Sequence, residues 1–119
     1  MTTQTPPTKT TIAPDVLITI ARLSALSVSG VSRMAQVAGG VNRLFKRDVH
    51  NGVRIEVKDN FLIADLYLIL KSNVNIREVS RNVQIQVARA LQEMVGMDVV
   101  KVEIHIEDID YEELEAESG

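Results

Sequence analysis

The stretch from Val53 to Leu70 places the strongest constraint on how this chain can fold. It reads as two strands joined at Asp59-Asn60, residues that tolerate the positive φ angles of a tight hairpin turn. Placing the turn there fixes every cross-strand pair, and directly paired residues share a face of the hairpin. One face is then wholly apolar, with Val57 opposite Leu62, Ile55 opposite Ala64 and Val53 opposite Leu66.

The other face of the hairpin carries the one acid inside an apolar run, Asp65. A carboxylate in such surroundings is a usual form of a catalytic group. The same register, however, places Arg54 directly across from it. We therefore predict a structural ion pair, which stabilises a half-exposed site by about 0.2–1 kcal/mol, rather than a catalytic acid.

This second face also carries apolar side chains among charged ones. An apolar patch with a charged rim is typical of a protein contact surface. The alternative is that the acidic tail or the segment Val41–Arg47, read as a short amphipathic helix, folds over the patch. The predicted contact residues are Ile63, Tyr67 and Ile69, with the basic side chains Arg43, Lys46 and Arg47 as a second candidate surface.

Two helices and a last strand flank the hairpin. Pro14 is suited to the first turn of a helix and Gly30 to ending it, while Asn75 is a natural N-cap and Gly96 a C-terminal stop for the second helix. The expected inward side chains are Ala13, Val16, Leu17, Ile20, Leu23, Ser24 and Ser27 in the first helix, and Ile76, Val79, Val83, Val87, Ala90, Leu91 and Met94 in the second.

The final strand is predicted over Val99–Ile106, with Val100, Val102, Ile104 and Ile106 inward. Because a strand–helix–strand crossover is right-handed, this strand should run parallel to Phe61–Leu70. The sequence predicts an α+β fold, a two-layer sandwich in which two main helices cover one face of a small, mixed and mostly antiparallel sheet. The domain spans 12–109, between a disordered lead at 1–11 and an acidic disordered tail at 110–119.

Composition excludes several classes of site. The chain has no cysteine, which removes disulfides, thiol nucleophiles and thiolate metal sites. No apolar run reaches the ~20 residues of a membrane span, and the N-terminus lacks the apolar core of a signal peptide, so we expect a soluble, intracellular protein. Glu103, His105 and Glu107 could present ligands from one strand face, but three residues in a line form no cage, so we expect no metal or cofactor.

Nucleic-acid binding is the alternative that the charge pattern leaves open. Basic residues are concentrated between Arg33 and Lys58, and the second helix adds Arg77, Arg81 and Arg89. Against this, aromatic residues make up only 3% of the chain, too few to stack many bases, and no pair of glycines has the GxxG spacing of a KH clamp.

The order of these pieces resembles the alkaline shock protein family of bacterial envelope stress response proteins. The resemblance rests on IAPDVLITIARLSALSVSGV, VRIEV, ADLYLIL and NIREVSRNVQIQVARALQEMVGMDVVKVEIHIEDI, which together cover Ile12 to about Ile109. Ala13 departs from the pattern where the family often has a capping serine, and Ser29 where an acid is common.

The resemblance implies a small, non-catalytic cytoplasmic protein of cell-envelope homeostasis, with no catalytic residues to carry over. It further implies contact with a protein partner, including a separate membrane anchor protein that would hold the chain at the inner face of the membrane, or assembly into a homo-oligomer. We expect the chain to act as a protein–protein interaction or self-assembly module and not as an enzyme.

Overall fold

The computed structural model describes residues 11–36 and 49–111. These residues form a four-stranded mixed sheet with two helices against one of its faces. In chain order the elements are α1 (Pro14–Leu26), β1 (Val31–Met34), β2 (Val53–Lys58), β3 (Phe61–Lys71), α2 (Ile76–Val95) and β4 (Asp98–Asp110). The predicted α+β class and its two-layer arrangement are confirmed.

The strand β3 lies at the centre of the sheet. β2 pairs antiparallel with its first half and β1 with its second half, so both lie along one edge of β3. β4 pairs with the opposite edge in parallel, as the crossover rule predicts. The β2–β3 register matches the predicted one at every pair from Val53–Leu66 to Lys58–Phe61, and Asp59 in the turn has a φ of 57°.

The main core lies between the helices and the inner face of the sheet. Alternate residues of β3 point into it because side chains alternate along a strand. Leu62, Ala64, Leu66, Leu68 and Leu70 are fully buried there against the buried face of α2, which consists of Val79, Val83, Val87 and Leu91. Ile76 and Met94, predicted to lie inward at the ends of this helix, are exposed instead.

Helix α1 buries a face that overlaps only partly with the predicted one. Leu17 is buried as predicted, but Val16 and Leu23, also expected inward, are about half exposed, and the other buried residues are Ile18, Ala21 and Ala25. The helix is apolar on several sides, so periodicity does not select one face. Packing against α2 selects the face with Ala21 and Ala25, because small side chains let two helix backbones approach closely.

The ends of the helices follow the sequence signals. Pro14 lies in the first turn of α1, and Ala13 at the N-cap makes no side-chain capping bond. The Asn75 side chain accepts a hydrogen bond from the Glu78 amide at 3.0 Å, and Gly96 ends α2 in the left-handed conformation. None of the described helices is long and apolar enough to cross a membrane.

Strand β4 is longer and less regular than predicted. It runs to Asp110, so it includes Glu107 and Asp108 beyond the predicted strand end at Ile106, as well as Asp110, the first residue of the expected tail. The register against β3 shifts at Val100 and again at Glu107. Val100, expected inward, is the unmatched residue of the first irregularity and is 60% exposed, while Val99 and Val102 pack against the core.

Gly30 provides a test of this packing. Its φ is 101°, and a Cβ at this position would lie 2.7 Å from Val79 Cγ2 in the core. Gly30→Ala should therefore lower the free energy of unfolding by about 3 kcal/mol, through backbone strain together with overpacking. Gly96→Ala is the matched control, since Gly96 also has a positive φ but its Cβ would meet nothing within 4 Å. In urea unfolding, Gly96→Ala should lower the free energy of unfolding by only about 1 kcal/mol. Equal losses of stability in the two variants would contradict the packing described.

Candidate functional site

The outer face of the sheet carries the predicted ion pair. Arg54 and Asp65 are direct partners in the β2–β3 register, and Arg54 Nη1 donates to Asp65 Oδ2 at 2.8 Å. The same guanidinium donates through Nη2 to Glu56 Oε1 at 3.1 Å. The Asp65 side chain is only 13% exposed, so its charge needs such a partner. The simpler interpretation of Asp65 as a structural ion-pair residue agrees with this geometry.

His105 joins this pair from the neighbouring strand. The β3–β4 register places His105 beside Tyr67 and Glu103 beside Asp65. His105 Nε2 lies 3.0 Å from Asp65 Oδ1, and the imidazole stacks on the Tyr67 ring with centroids 4.4 Å apart and planes 11° apart. One polar ladder, defined by Glu56, Arg54, Asp65, His105 and Glu103, thus crosses three strands. Sequence reasoning placed His105 on one strand face with Glu103 and Glu107 and missed its contact with Asp65.

A residue-level signal for the contact did exist. The crossover rule already predicted that β3 and β4 are parallel. Comparing the possible registers of the two strands would have included the one in which Asp65 and Tyr67 are neighbours of Glu103 and His105. The irregularity at Val100 shifts this register by one residue, and nothing in the local sequence indicates it.

The network shifts the pKa values of Asp65 and Arg54. Burial by itself would raise the pKa of Asp65, but the hydrogen bond from His105 and the positive charge of Arg54 outweigh it, so this pKa lies below its ordinary value. Burial opposes the charged form of Arg54 as well, yet its contacts with Glu56 and Asp65 raise its pKa. Burial and the nearby Asp65 charge raise the pKa of Tyr67. Asp65 is therefore a stably ionised carboxylate.

The ladder also contains a set of candidate metal ligands. One ligand atom each from Asp65, Glu103 and His105 lies within 4.8 Å of the others. The predicted strand-face set differed, because it had Glu107 in place of Asp65. A cation would have to displace the bond between His105 Nε2 and Asp65 Oδ1, beside the guanidinium that holds the other Asp65 oxygen. The donor set is thus already satisfied by internal partners and does not favour a metal ion.

A carboxylate–imidazole pair can also orient a general base. Such a base acts on a nucleophile or a water held within hydrogen-bond reach of its other ring nitrogen. The interactions of His105 with described residues are those with Asp65, Glu103 and the face of the Tyr67 ring. These contacts hold the ring in place on the outer face of the sheet.

The predicted contact residues are not on an open surface. Tyr67 and Ile69 are only 8% and 7% exposed, and they cluster with Ala35 and the half-buried Val49, while Ile63 is half-buried. The expectation that the outer face is bare at Tyr67 and Ile69 is therefore wrong. The reason is that Ala35 and Gly52 hydrogen-bond to both backbone groups of Tyr67 and bring their segments against this face.

The other predicted surface lies outside the described residues. This is true of Arg43, Lys46 and Arg47, of the proposed helix Val41–Arg47, and of the sequence after Tyr111. The roles of Ile63, Tyr67 and Ile69 in binding a partner remain a prediction.

Three of the exposed apolar side chains lie at one end of the molecule. Val57 and Phe61 beside the hairpin turn and Met94 near the end of α2 are 47%, 50% and 68% exposed, and we call these three residues the tip surface. Val57 and Met94 line an open groove of about 780 Å³ between the hairpin and the two helices. The other lining residues are Thr11, Ile12, Pro14, Leu17, Ile55, Asp59, Asn60, Val95 and Met97.

Comparison with known proteins adds a family to this geometry. A model of the alkaline shock protein 23 family, a family described by its cell envelope-related function, matches residues 2–111. The uncharacterized protein YqhY of Bacillus subtilis (strain 168) is 30% identical over 106 residues, which cover 87% of this chain and 78% of YqhY. The uncharacterized protein Spy1614 of Streptococcus pyogenes serotype M6 is 28% identical over 102 residues, covering 82% of this chain and 84% of Spy1614.

Solved structures share the fold at much lower identity. A MamM CTD variant in a copper form has a TM-score of 0.53 and 9% identity, and the match covers 82% of this chain and 100% of that one. A MamM CTD variant in a nickel form has a TM-score of 0.51 and 9% identity, with coverages of 81% and 99%. At this identity the likeness concerns the fold alone.

The ion-pair network predicts a specific pH dependence. Since folding lowers the pKa of Asp65 from its unfolded value of about 3.9, its contribution to the free energy of unfolding is complete above about pH 5 and is lost as the pH falls through the folded pKa. Asp65→Asn should therefore be less stable than wild type at pH 7, and this difference should shrink toward pH 3.

Urea unfolding between pH 3 and pH 7 measures this difference. Asp59→Asn, at an exposed turn position, is the matched control and should follow the wild-type curve. A stability difference for Asp65→Asn that stays constant across the range would contradict the role given to the carboxylate.

Proposed function

Because the chain belongs to the alkaline shock protein 23 family and has an envelope-related role, we propose that it performs this role as a non-catalytic protein–protein interaction module. In this proposal it acts in the cytoplasm and reaches the inner face of the cell membrane through a protein partner that carries the anchor. It also associates with other copies of itself.

The tip surface is the observation that carries the proposal. Two of its large apolar side chains, Val57 and Met94, line a groove that is open rather than enclosed, and the half-exposed Phe61 lies next to the same hairpin turn. Asp59 is the single ionisable side chain among the described residues that line this groove. A mostly apolar, open depression suits the side chains of a protein segment, and an apolar patch of this kind is a usual mark of a protein contact.

The satisfied ladder on the outer face supports the non-catalytic part of the proposal. A catalytic acid or base needs an atom that is free to exchange a proton with the substrate, and a pKa near the working pH. Asp65 instead has its two oxygens bound to Arg54 and His105, and its pKa moves away from neutrality. These internal contacts support a structural role for Asp65.

Membrane fractionation of the native cell tests the proposal. The double variant Phe61→Glu/Met94→Glu places charges on the tip surface at exposed positions, so the fold should persist while the partner is lost. We expect the wild-type chain to sediment with membranes and to capture a membrane-anchored protein after crosslinking. The double variant should lose at least about nine-tenths of both signals. Such a loss corresponds to about 1.4 kcal/mol or more of binding free energy.

Ile76→Glu is the matched control for this experiment. Ile76 is 47% exposed, as Val57 is, but it lies at the start of α2, away from the groove-lining end of that helix. This variant should retain membrane association. Undiminished capture by the Phe61→Glu/Met94→Glu variant would contradict the assignment of the tip surface. Salt-sensitive retention of RNA or DNA on a filter by the wild-type chain would favour the nucleic-acid alternative.

A further inference from the structure

In the described part of the chain, strand β4 forms a long edge of the sheet. It is 13 residues long, and its strand partner among the described residues is β3 alone. No residue of β4 is fully buried, although Val102, Ile104 and Ile106 face the core and pack against it. An edge strand of this length presents a row of backbone groups that can pair with another strand.

The backbone groups on this open edge can be assigned. The Val102 carbonyl accepts a hydrogen bond at 3.0 Å from the side chain of Gln84, which reaches β4 from α2. Since lateral backbone groups alternate along a strand, the N–H and C=O of Ile104 and Ile106 point to the same side as those of Val102. A carbonyl has two lone pairs, so the Gln84 contact leaves Val102 able to accept a second bond.

We propose that the β4 edges of two copies of this chain pair antiparallel, with a two-fold axis through Ile104. This deepens the proposed function and rests on it, because it specifies how the self-association occurs. A two-fold contact brings the same patch of both copies together, so residue i meets residue j and j meets i. The resulting pairs are Ile104 with Ile104, Val102 with Ile106, Glu103 with His105, and Lys101 with Glu107.

The charges of β4 select this axis. With the axis at Ile104, both basic side chains, Lys101 and His105, meet acids, and apolar residues meet apolar residues. An axis at Glu103 would put that acid against its own copy and Lys101 against His105. An axis at His105 would put Glu103 against Glu107. Like charges directly opposite each other destabilise a strand pair, whereas opposite charges stabilise it.

The backbone geometry agrees with this choice. At an axis through Ile104, the N–H and C=O of the two Ile104 residues face each other, as do those of Val102 and Ile106. Between the register shifts at Val100 and Glu107, β4 follows β3 one residue for one. The regular segment Lys101–Ile106 therefore supplies a straight edge, and the irregular residues flank it.

Sedimentation equilibrium or light scattering from low micromolar to near-millimolar concentration tests the pairing. The wild-type chain should show a reversible monomer–dimer equilibrium. Lys101→Glu creates two repulsive contacts per dimer, so its dimer dissociation constant should rise by about tenfold or more. Glu107→Lys should have the same effect, and the double variant Lys101→Glu/Glu107→Lys should restore the wild-type constant.

Lys58→Glu is the matched control, because this exposed lysine lies on β2 at the other side of the sheet. It should leave the dissociation constant unchanged, and far-UV circular dichroism should show that all variants are folded. A monomeric wild-type chain at every concentration would overturn the inference, and so would a double variant as weak as the singles. The fractionation experiment relies on Phe61 and Met94 instead, so its result separates failure of the edge pairing from failure of the partner proposal.

Discussion

The pairing of β3 on both of its edges is the constraint on which the rest of this structure depends. β2 and β1 occupy one edge and β4 the other, while the inner residues of β3 are fully buried beneath the two helices. A strand in this position must be apolar on its inner face, and any charge on its outer face must find a partner. Asp65 meets that requirement through Arg54 on one side and His105 on the other.

This constraint also separates the structural part of the chain from the part available for binding. The outer face of β3 is occupied by the polar ladder and by the cluster of Tyr67, Ile69 and Ala35. Among the described residues, exposed surface remains away from β3, at the tip surface and along the outer edge of β4. Both proposals use these two places, and neither requires the central strand to change.

The parts predictable from sequence are those governed by local rules. The turn at Asp59-Asn60 fixes the β2–β3 register, and therefore the Arg54–Asp65 pair, because each pair follows from the one before. The caps at Asn75 and Gly96 follow from local conformational preferences. The face of α1, the shift at Val100 and the His105–Asp65 contact depend on how distant elements pack. The local sequence does not indicate which face of the apolar helix α1 is buried. It also does not indicate where the inserted residue shifts the register of β4.

Amide hydrogen exchange along β4 tests most directly whether β3 is the central strand and β4 an open edge. In dilute protein, the amides of Glu103 and His105, which point toward β3, should exchange slowly, and those of Ile104 and Ile106 quickly. Raising the protein concentration should slow exchange at Ile104 and Ile106 without changing the other two. Slow exchange at Ile104 and Ile106 in dilute protein, or exchange there that is independent of concentration, would contradict this account.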